Sequence, residues 1–308
     1  MVWQLNQLGI KDILCVDEVG TDQRSGPLKN RDIKRFLLKD EFLRELEKLD
    51  PQQIKWIIHM GACSSTTERN KDYLWSTNVE YSQRIFTWCA KKNVPLIYAS
   101  SAATYGDGEL GFDDRIDPLI YRPLNLYGES KWEFDNWALR QTIVPPHWYA
   151  LKFFNVYGPN EYHKGAMSSV AYKAYHQIRE KGQLGLFRSY NHHYGDGEQM
   201  RDFIYVKDVT RWMWELTERQ PANGLYNMGF GKARTWRDLS RAVFVAMSLP
   251  EKIDWLEMPE SLKNQYQYFT EANMQKWFAQ GLSQPKWSLE DGIKDYVQNS
   301  LMKEDPWL

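Results

Sequence analysis

The sequence predicts an α/β protein built on a doubly wound parallel sheet, with a smaller α/β lobe beside it. Apolar runs typical of buried strands alternate with amphipathic helical segments through the first half of the chain, as expected for parallel strands joined by crossover helices. A Ser that closes one of these runs is followed by a Tyr and a Lys at the start of a helix. That order suits a site at the strand ends of such a sheet. At 308 residues the chain is long enough for two lobes.

The first half of the chain predicts a regular succession of elements. Residues 1–8 carry apolar side chains at helical spacing before Gly9, and residues 13–17 form a short apolar run that ends in an acidic residue. The helix and strand pairs that follow are 40–49 with 56–59, 73–91 with 95–98, and the helix from Tyr127 with 148–153. This regularity predicts a dinucleotide-binding domain over residues 1–157.

The second half is less regular. Its predicted elements are a helix over 168–181, a strand over 201–206, a helix from Asp208 and a strand over 224–229. The polar and Gly-rich stretches 163–166 and 190–199 suit loops that grip a ligand. We expect residues 201–230 to rejoin the first domain, and residues 158–200 and 231–308 to form a substrate-binding lobe.

Composition excludes several classes of function. The net charge is −1 and the pI is about 6.6, with Lys and Arg scattered, so nucleic acid is not an expected partner. No apolar run approaches the ~20 residues of a membrane span and no signal-peptide pattern opens the chain, which predicts a soluble protein without membrane contact. Cys15, Cys63 and Cys89 lack metal-ligand spacing, which indicates reduced thiols in a cytoplasmic protein and no metal site.

Ser101, Tyr127 and Lys131 carry the strongest chemical signal. A Tyr and a Lys four positions apart share one helix face, so the ammonium is expected to lower the phenol pKa while the Ser hydroxyl bonds the phenol oxygen. With eighteen tyrosines, about one such pair is expected by chance, and a solvated Lys beside a packing Tyr is the simpler interpretation. The preceding apolar strand favours acid/base chemistry on an alcohol.

Five segments resemble the ADP-L-glycero-D-manno-heptose 6-epimerases, a family of extended short-chain dehydrogenases. They are His59 to Glu68, Ser100 to Gly106, Tyr127 to Lys131, Phe154 to Pro159 and His163 to Gly165. The resemblance covers essentially the whole chain. Its most specific parts are the Gly-Ala-Cys-Ser-Ser-Thr-Thr-Glu run and His-Lys-Gly, because the Tyr/Lys pair and Asn-Val-Tyr-Gly-Pro occur throughout the superfamily.

The resemblance implies a tightly bound NADP that accepts hydride from C6 of the heptose, so that a 6-keto intermediate turns and is reduced from its other face. It implies Tyr127 and Lys164 as the two acid/base groups, Lys131 as the residue that holds the nicotinamide ribose, and Ser101 as support for the oxygen. From its residues alone, Lys164 reads as a solvated lysine in a Gly-flanked loop.

The expected dinucleotide contacts are Asp17, Glu18, Lys39, Met60, Gly61, Ala62, Cys63, Ser64, Asn78, Lys131 and Val156. An acidic residue at the end of the first strand normally bonds a ribose 2′-hydroxyl and repels a 2′-phosphate, so the residues alone favour NAD. The resemblance favours NADP, with Lys39, Arg24 or Lys29 as the compensating charge. Asn78 also has a simpler interpretation as a buried capping residue.

The resemblance also implies contacts with an ADP-sugar. The expected residues are Asn155, Ala166, Lys173, Phe187, Arg188, Ser189, Arg201 and Tyr266. Arg suits a diphosphate because its guanidinium makes bidentate, charge-assisted hydrogen bonds. Ala166 and Lys173 depart from the Ser and His expected there, and residues 190–199 form a longer loop than usual, so the exact sugar nucleotide stays open.

A Rossmann-type sheet normally opens with a strand and a Gly-x-x-Gly-x-x-Gly turn that holds the pyrophosphate. This sequence begins in the helix that should follow that turn. We therefore expect either a start site called too far downstream or a protein that has lost its pyrophosphate clamp, and in both cases weak dinucleotide binding by the chain as written.

Two other functions are weighed against heptose epimerisation. One is a different sugar-nucleotide enzyme, either a 4-epimerase or a 4,6-dehydratase; Ala102 and Ala103 disfavour the dehydratase because they offer no acid/base pair to expel water. The other is a degenerate, non-catalytic binding protein, favoured only by the missing Gly turn. The resemblance further implies a homo-oligomer, specifically a pentamer.

Overall fold

The computed structural model describes residues 1–18, 25–263 and 266–308. Within them the strands are β1 (Leu14–Asp17), β2 (Arg35–Leu38), β3 (Ile57–His59), β4 (Leu96–Ser101), β5 (Trp148–Phe153), β6 (Asn155–Tyr157), β7 (Leu184–Phe187), β8 (Met200–Arg201), β9 (Phe203–Tyr205), β10 (Gly224–Met228), β11 (Arg234–Thr235) and β12 (Ile253–Leu256). The helices are α1 (Val2–Gln7), α2 (Ser25–Leu28), α3 (Lys39–Leu46), α4 (Lys71–Leu74), α5 (Tyr81–Lys92), α6 (Leu126–Leu139), α7 (Val170–Lys181), α8 (Val206–Arg219), α9 (Trp236–Ala246), α10 (Glu260–Lys263), α11 (Gln275–Ala279) and α12 (Leu289–Tyr296).

A parallel sheet with strand order β10-β5-β4-β3 forms the centre of the fold. β1 and β2 make a separate parallel pair, in which Asp17 lies opposite Leu38. The predicted α/β class with parallel strands is therefore confirmed. β2 was not predicted, because its apolar run is only three residues long, too short to indicate a strand by pattern, and leads directly into α3.

Helices α4 and α5 are one continuous helical segment, joined by the π-helical turn Trp75–Glu80. The segment and α6 cover one face of the central sheet, where Phe86 and Phe134 pack edge to face and Tyr98 stacks on Trp148. Aromatic side chains thus supply much of the apolar area that this layer buries. Within the described residues, no helix is both long and apolar enough to cross a membrane.

The rest of the chain forms short sheets against helices α7, α9 and α12. β7 pairs with β12 in parallel, β8 pairs with β11 in antiparallel, and β6 pairs with β9 in parallel. These elements surround a second core that contains Tyr157, Tyr205, Val243 and Tyr296. β10 lies within the central sheet although it follows this region in sequence. The predicted domain boundaries stay a prediction.

Asp202 ties the two regions together between β8 and β9. Its buried carboxylate accepts hydrogen bonds from the backbone N–H groups of Phe230, Gly231 and Ala272, at 2.6, 2.9 and 3.0 Å. Burial raises the pKa of Asp202 to about 6, against the opposing effect of these donors. A single side chain therefore joins the end of β10 to the segment that precedes α11.

Candidate active site

The carboxyl ends of β3, β4 and β5 meet at one edge of the central sheet. Met60 follows β3, Ser101 closes β4, and Asn155 follows β5. Ligands of doubly wound sheets bind at such an edge, because the loops there leave a crevice and the backbone polar groups are free to reach it. The predicted site residues therefore converge on the edge where chemistry is expected.

The Ser101 side chain lies close enough to the Tyr127 phenol to lower its pKa. Ser101 also caps the turn Ala102–Tyr105, since its Oγ accepts from the Ala103 N–H at 3.2 Å. Tyr127 occupies the first turn of α6, whose N-terminus is capped by the Asn125 side chain bonded to the Gly128 N–H at 2.8 Å. Two caps thus fix both partners of the hydroxyl pair.

Gly128 allows α6 to approach the turn that follows β4. A Cβ atom at this position would lie 2.9 Å from the Ala103 carbonyl oxygen and 3.1 Å from Pro123 Cβ. The first neighbour is a backbone atom and the second belongs to a proline ring, so neither can turn aside and a larger residue would push the helix away. The glycine therefore sets the distance between Tyr127 and Ser101.

Lys131 lies one helical turn after Tyr127 and is only 3 % exposed. Its Nζ donates a 3.0 Å hydrogen bond to the Ala99 carbonyl oxygen in β4. Burial lowers the pKa of Lys131 to about 8, while the negative charge of Asp135 acts in the opposite direction. The side chain is therefore a buried ammonium whose proton is held less tightly than that of a solvated lysine.

The expectation that Lys131 lowers the pKa of Tyr127 is wrong for this structure. Burial raises the pKa of Tyr127 above its ordinary value, and the hydrogen bond from Ser101 is the effect that opposes the rise. The two side chains share a helix face as predicted, but the ammonium is bonded to a strand carbonyl group. The spacing of Tyr127 and Lys131 in the sequence predicts that they lie close together, but it does not predict how burial changes the pKa of Tyr127.

The loop 60–64 after β3 is held against α6 by Asn78. The Asn78 side chain accepts from the Cys63 N–H at 2.9 Å and donates to the Cys63 carbonyl at 3.0 Å and to Ser130 Oγ at 2.9 Å. Asn78 is fully buried. It acts on the loop that carries Met60, Gly61, Ala62, Cys63 and Ser64, and its direct contact with a dinucleotide stays a prediction.

The acidic end of β1 faces one lysine. Lys39, the first residue of α3, forms a 2.6 Å ion pair with Glu18, and the Glu18 N–H donates to Asp17 Oδ1 at 2.7 Å. Lys29 instead pairs with Asp305 at 2.7 Å, and Arg24 lies outside the described residues. Of the two candidates within the described residues, Lys39 is the one that the structure places beside the predicted ribose-binding carboxylates.

Lys164 is exposed and lines a cavity of about 190 Å³ together with Val156 and Tyr157. Its loop is anchored by Glu161, a buried carboxylate that accepts from the Ser169 hydroxyl at 2.7 Å and the Tyr296 hydroxyl at 2.9 Å. Glu161 was not predicted from the sequence. Its position two residues before His163-Lys164-Gly165 could have indicated a residue that anchors this loop.

The predicted substrate residues fall into three groups. Arg201 lies between the rings of Trp236 and Tyr266, 5.6 and 5.5 Å from their centroids. Lys173 donates a 2.7 Å hydrogen bond to the Ala166 carbonyl, so these two residues are brought together. The third group is the run Phe187, Arg188 and Ser189 at the end of β7. Asn155 belongs to none of these groups and is exposed on β6.

Arg188 is already paired. Its guanidinium contacts Asp196 at 2.8 Å and Glu257 at 3.4 Å, and the Ser189 N–H also donates to Asp196. Asp196 belongs to the long loop noted in the sequence. A diphosphate at this place would have to compete with two carboxylates, whereas Arg201 has aromatic neighbours and a backbone carbonyl. Within the described residues there is no cluster of three metal-ligating side chains.

Known proteins are similar to this chain along its whole length. Residues 1–229 match the profile described as the NAD dependent epimerase/dehydratase family. An ADP-L-glycero-D-manno-heptose-6-epimerase of Fusobacterium nucleatum is 46 % identical over 317 residues, covering 100 % of this chain and 96 % of the relative. One of Nitratidesulfovibrio vulgaris is 48 % identical over 310 residues, with the same two coverages.

Solved structures share the fold. The ADP-L-glycero-D-manno-heptose-6-epimerase of Helicobacter pylori superimposes with a TM-score of 0.80 at 24 % identity, covering 97 % of this chain and 90 % of that one. The UDP-glucose 4-epimerase of Thermus thermophilus, solved in complex with NAD, gives a TM-score of 0.75 at 21 % identity, covering 96 % and 93 %. At these identities the likeness concerns the fold alone.

Proposed function

Because this chain belongs to the NAD dependent epimerase/dehydratase family, and within it to the ADP-L-glycero-D-manno-heptose-6-epimerases, we infer that it is an isomerase acting at C6 of an ADP-heptose. The reaction converts ADP-D-glycero-D-manno-heptose into ADP-L-glycero-D-manno-heptose. The family resemblance seen in the motifs is confirmed by identities of 46 to 48 % over the whole chain. The observation in the structure that supports this chemistry best is that the Tyr127 phenol lies close to the Ser101 side chain and one helical turn before the buried ammonium of Lys131.

We propose that Tyr127 exchanges the proton of the C6 hydroxyl group. Its phenol lies near the Ser101 side chain, so a substrate oxygen bound between the two would meet two hydroxyl groups. When bound, the dinucleotide would accept hydride from C6 and return it there. The raised pKa of Tyr127 favours the neutral phenol before substrate and dinucleotide bind, so the positive charge of Lys131 is needed when the phenol gives up its proton.

Inversion requires that the intermediate be reduced from its opposite face, and a second proton-transferring group suits that face. We propose Lys164 for this role. Its support is its exposed position on the cavity wall beside Val156 and the anchoring of its loop by Glu161. Asn155, Arg201 and Tyr266 are the proposed contacts of the nucleotide sugar, and Arg201 is the proposed partner of the diphosphate.

The chain uses a nicotinamide dinucleotide, as its family does. The residues present fit such a group: Lys131 has three N–H donors and, within the described chain, one acceptor at Ala99, which leaves donors for ribose hydroxyl groups. We propose NADP rather than NAD, with the 2′-phosphate displacing Glu18 from Lys39. The homo-oligomer and the pentamer that the resemblance implies stay predictions, which sedimentation velocity tests directly.

The experiment that tests the proposed function compares Tyr127→Phe with the parent protein. NMR follows the conversion of ADP-D-glycero-D-manno-heptose at substrate saturation. Loss of a positioned acid/base group is expected to lower turnover by about 10²-fold or more. Tyr149→Phe is the matched control, since it removes another buried tyrosine hydroxyl, one that donates to the Pro221 carbonyl at 3.1 Å. Turnover of Tyr127→Phe within threefold of the control would exclude Tyr127 from proton transfer.

A further inference from the structure

Asp135 lies on the same face of α6 as the two residues of the Tyr/Lys pair. It follows Lys131 by one helical turn and Tyr127 by two, and its side chain is fully buried. A charged group in such a place requires partners, because burial of an unpaired carboxylate is very unfavourable. The hydrogen-bond partners of Asp135 therefore indicate the role of this buried carboxylate.

Three donors from the central sheet meet the Asp135 carboxylate. Ser100 Oγ and Lys152 Nζ donate to Oδ2 at 2.6 and 2.8 Å, and the Tyr98 hydroxyl donates to Oδ1 at 3.2 Å. Lys152 and Asp135 are 1 % and 0 % exposed in their side chains. The two residues form an ion pair that is closed to solvent, between α6 and strands β4 and β5.

Lys152 links the pair to Ser101. Its ammonium also donates to Thr104 Oγ1 at 2.6 Å, and the Thr104 hydroxyl donates to the Ser101 carbonyl at 2.8 Å. The same ammonium stands 5.0 Å from the centre of the Tyr105 ring. Two consecutive residues of β4 thus bond to two successive turns of α6, because the Ala99 carbonyl accepts from Lys131 and the Ser100 hydroxyl donates to Asp135.

We propose that Asp135 and Lys152 are positioning residues of the active site, whose hydrogen bonds keep α6 in register with β4 and whose opposite charges act on the Lys131 ammonium one helical turn before Asp135. This inference rests on the proposed function only for its consequence in catalysis. The register and the charges are properties of the protein without substrate. Neither residue touches the groups proposed to react.

The other titratable groups that face Lys131 are few. His59 lies on β3 and Cys63 lies in the loop that follows this strand, whereas Tyr127 lies on α6, one turn before Lys131. Burial lowers the pKa of His59 to about 3, with the charge of Lys131 acting in the same direction. His59 is therefore neutral at physiological pH, and the negative charge of Asp135 supports the Lys131 ammonium more strongly than Cys63 does.

Removing one charge of the pair should shift Lys131 in a direction that depends on which charge is lost. In Asp135→Asn the supporting carboxylate is gone and Lys152 is left as an unpaired cation, so the pKa of Lys131 falls. In Lys152→Met the carboxylate is no longer neutralised, so the pKa of Lys131 rises. A neighbouring charge typically moves a pKa by about 1 to 3 pH units, and we expect about 1 in each direction.

The test is a titration of the Lys131 side chain by NMR in protein labelled with ¹³C at lysine Cε. The Lys131 signal is assigned by its absence from Lys131→Met. The variants are Asp135→Asn, Lys152→Met and the double variant, and the double variant serves if a single one does not fold, because replacing both partners of a buried pair is tolerated far better than breaking it. In the double variant the pKa should lie between those of Asp135→Asn and Lys152→Met.

Shifts in the same direction for both single variants, or a Lys131 pKa in the double variant that lies outside the range between the Asp135→Asn and Lys152→Met values, would overturn the proposal. Loss of the fold in all three variants would overturn it as well, since the pair would then be required for the fold itself. Turnover of the ADP-heptose is measured in parallel. Absence of turnover in the parent counts against the proposed function alone, since the titration needs neither substrate nor dinucleotide.

Discussion

Replacement of Lys131 by Met should make the protein more stable at neutral pH while removing its activity. The ammonium is 3 % exposed, and its pKa falls from an ordinary 10.5 to about 8 because of burial. At 1.36 kcal/mol per pH unit, that difference corresponds to about 3 kcal/mol of unfavourable free energy for the buried charge below pH 8. Methionine has a similar length and carries no charge.

The gain in the free energy of unfolding is smaller than this, because the variant loses a hydrogen bond. A charge-assisted bond such as that from Lys131 to the Ala99 carbonyl contributes about 1.5 kcal/mol. The net expectation is therefore that Lys131→Met raises the free energy of unfolding by about 2 kcal/mol at pH 7. Functional residues commonly cost stability in this way.

The pH dependence provides the sharper part of this prediction. The unfolded chain keeps the Lys131 proton up to about pH 10.5, whereas the folded protein releases it near pH 8. Between these values the unfolded state binds more protons, so this residue makes the stability of the parent rise with pH over that window. The stability of Lys131→Met does not rise with pH in this window. The free energy by which the variant is more stable than the parent should therefore fall to zero by about pH 10.

Urea denaturation, followed by the fluorescence of the 14 tryptophans, measures both effects at pH 7, 9 and 10 without added dinucleotide. Lys181→Met is the control, because Lys181 is exposed at the end of α7 and its replacement should change the free energy of unfolding by less than about 0.5 kcal/mol. If Lys131→Met is less stable than the parent at pH 7, or if the difference does not vary with pH, Lys131 is not a destabilising buried cation.

Three further outcomes are expected. Lys164→Met should lower epimerisation by about 10²-fold and leave dinucleotide binding unchanged, with Lys181→Met as the control; a loss of binding would make Lys164 a cofactor residue. Lys39→Ala should weaken NADP binding at least tenfold relative to NAD binding in equilibrium titrations, and an equal effect on both would separate Lys39 from the 2′-phosphate. Gly128→Ala should destabilise the protein by about 1 to 3 kcal/mol, because its Cβ would meet the Ala103 carbonyl; an unchanged melting temperature would show that α6 can move.

The order of helices and parallel strands was predictable because each element carries its own periodicity. β4, β5 and α6 are long enough for the pattern to exceed chance. β8 and β11, with two residues each, hold no pattern and owe their existence to pairing across the chain. The confirmed part of the fold is therefore the part that local sequence determines, and the short sheets depend on tertiary contacts.

In the candidate site, too, one part could be predicted from the local sequence and another part depends on tertiary contacts. Ser101, Tyr127 and Lys131 were predicted from spacing and order, and the structure brings them together. The error concerned the pKa of Tyr127, because a sequence pattern contains no measure of burial. Asp135 and Lys152 were missed for a related reason: each is an ordinary charged residue in the sequence, and only their common burial makes them a pair.

The buried charges beneath the site explain how a destabilising lysine is tolerated. An ammonium acts more strongly on a phenol or a ribose in a medium of low dielectric than in water, but the same medium makes the charge costly to bury. Asp135 reduces that cost for Lys131, and Lys152 in turn neutralises Asp135, so that the network contains no uncompensated carboxylate. Lys131 is thereby left with a pKa of about 8, high enough for it to be charged at neutral pH and low enough for small changes in its neighbours to alter its protonation. The activity of the site is therefore expected to depend on residues that never meet the substrate.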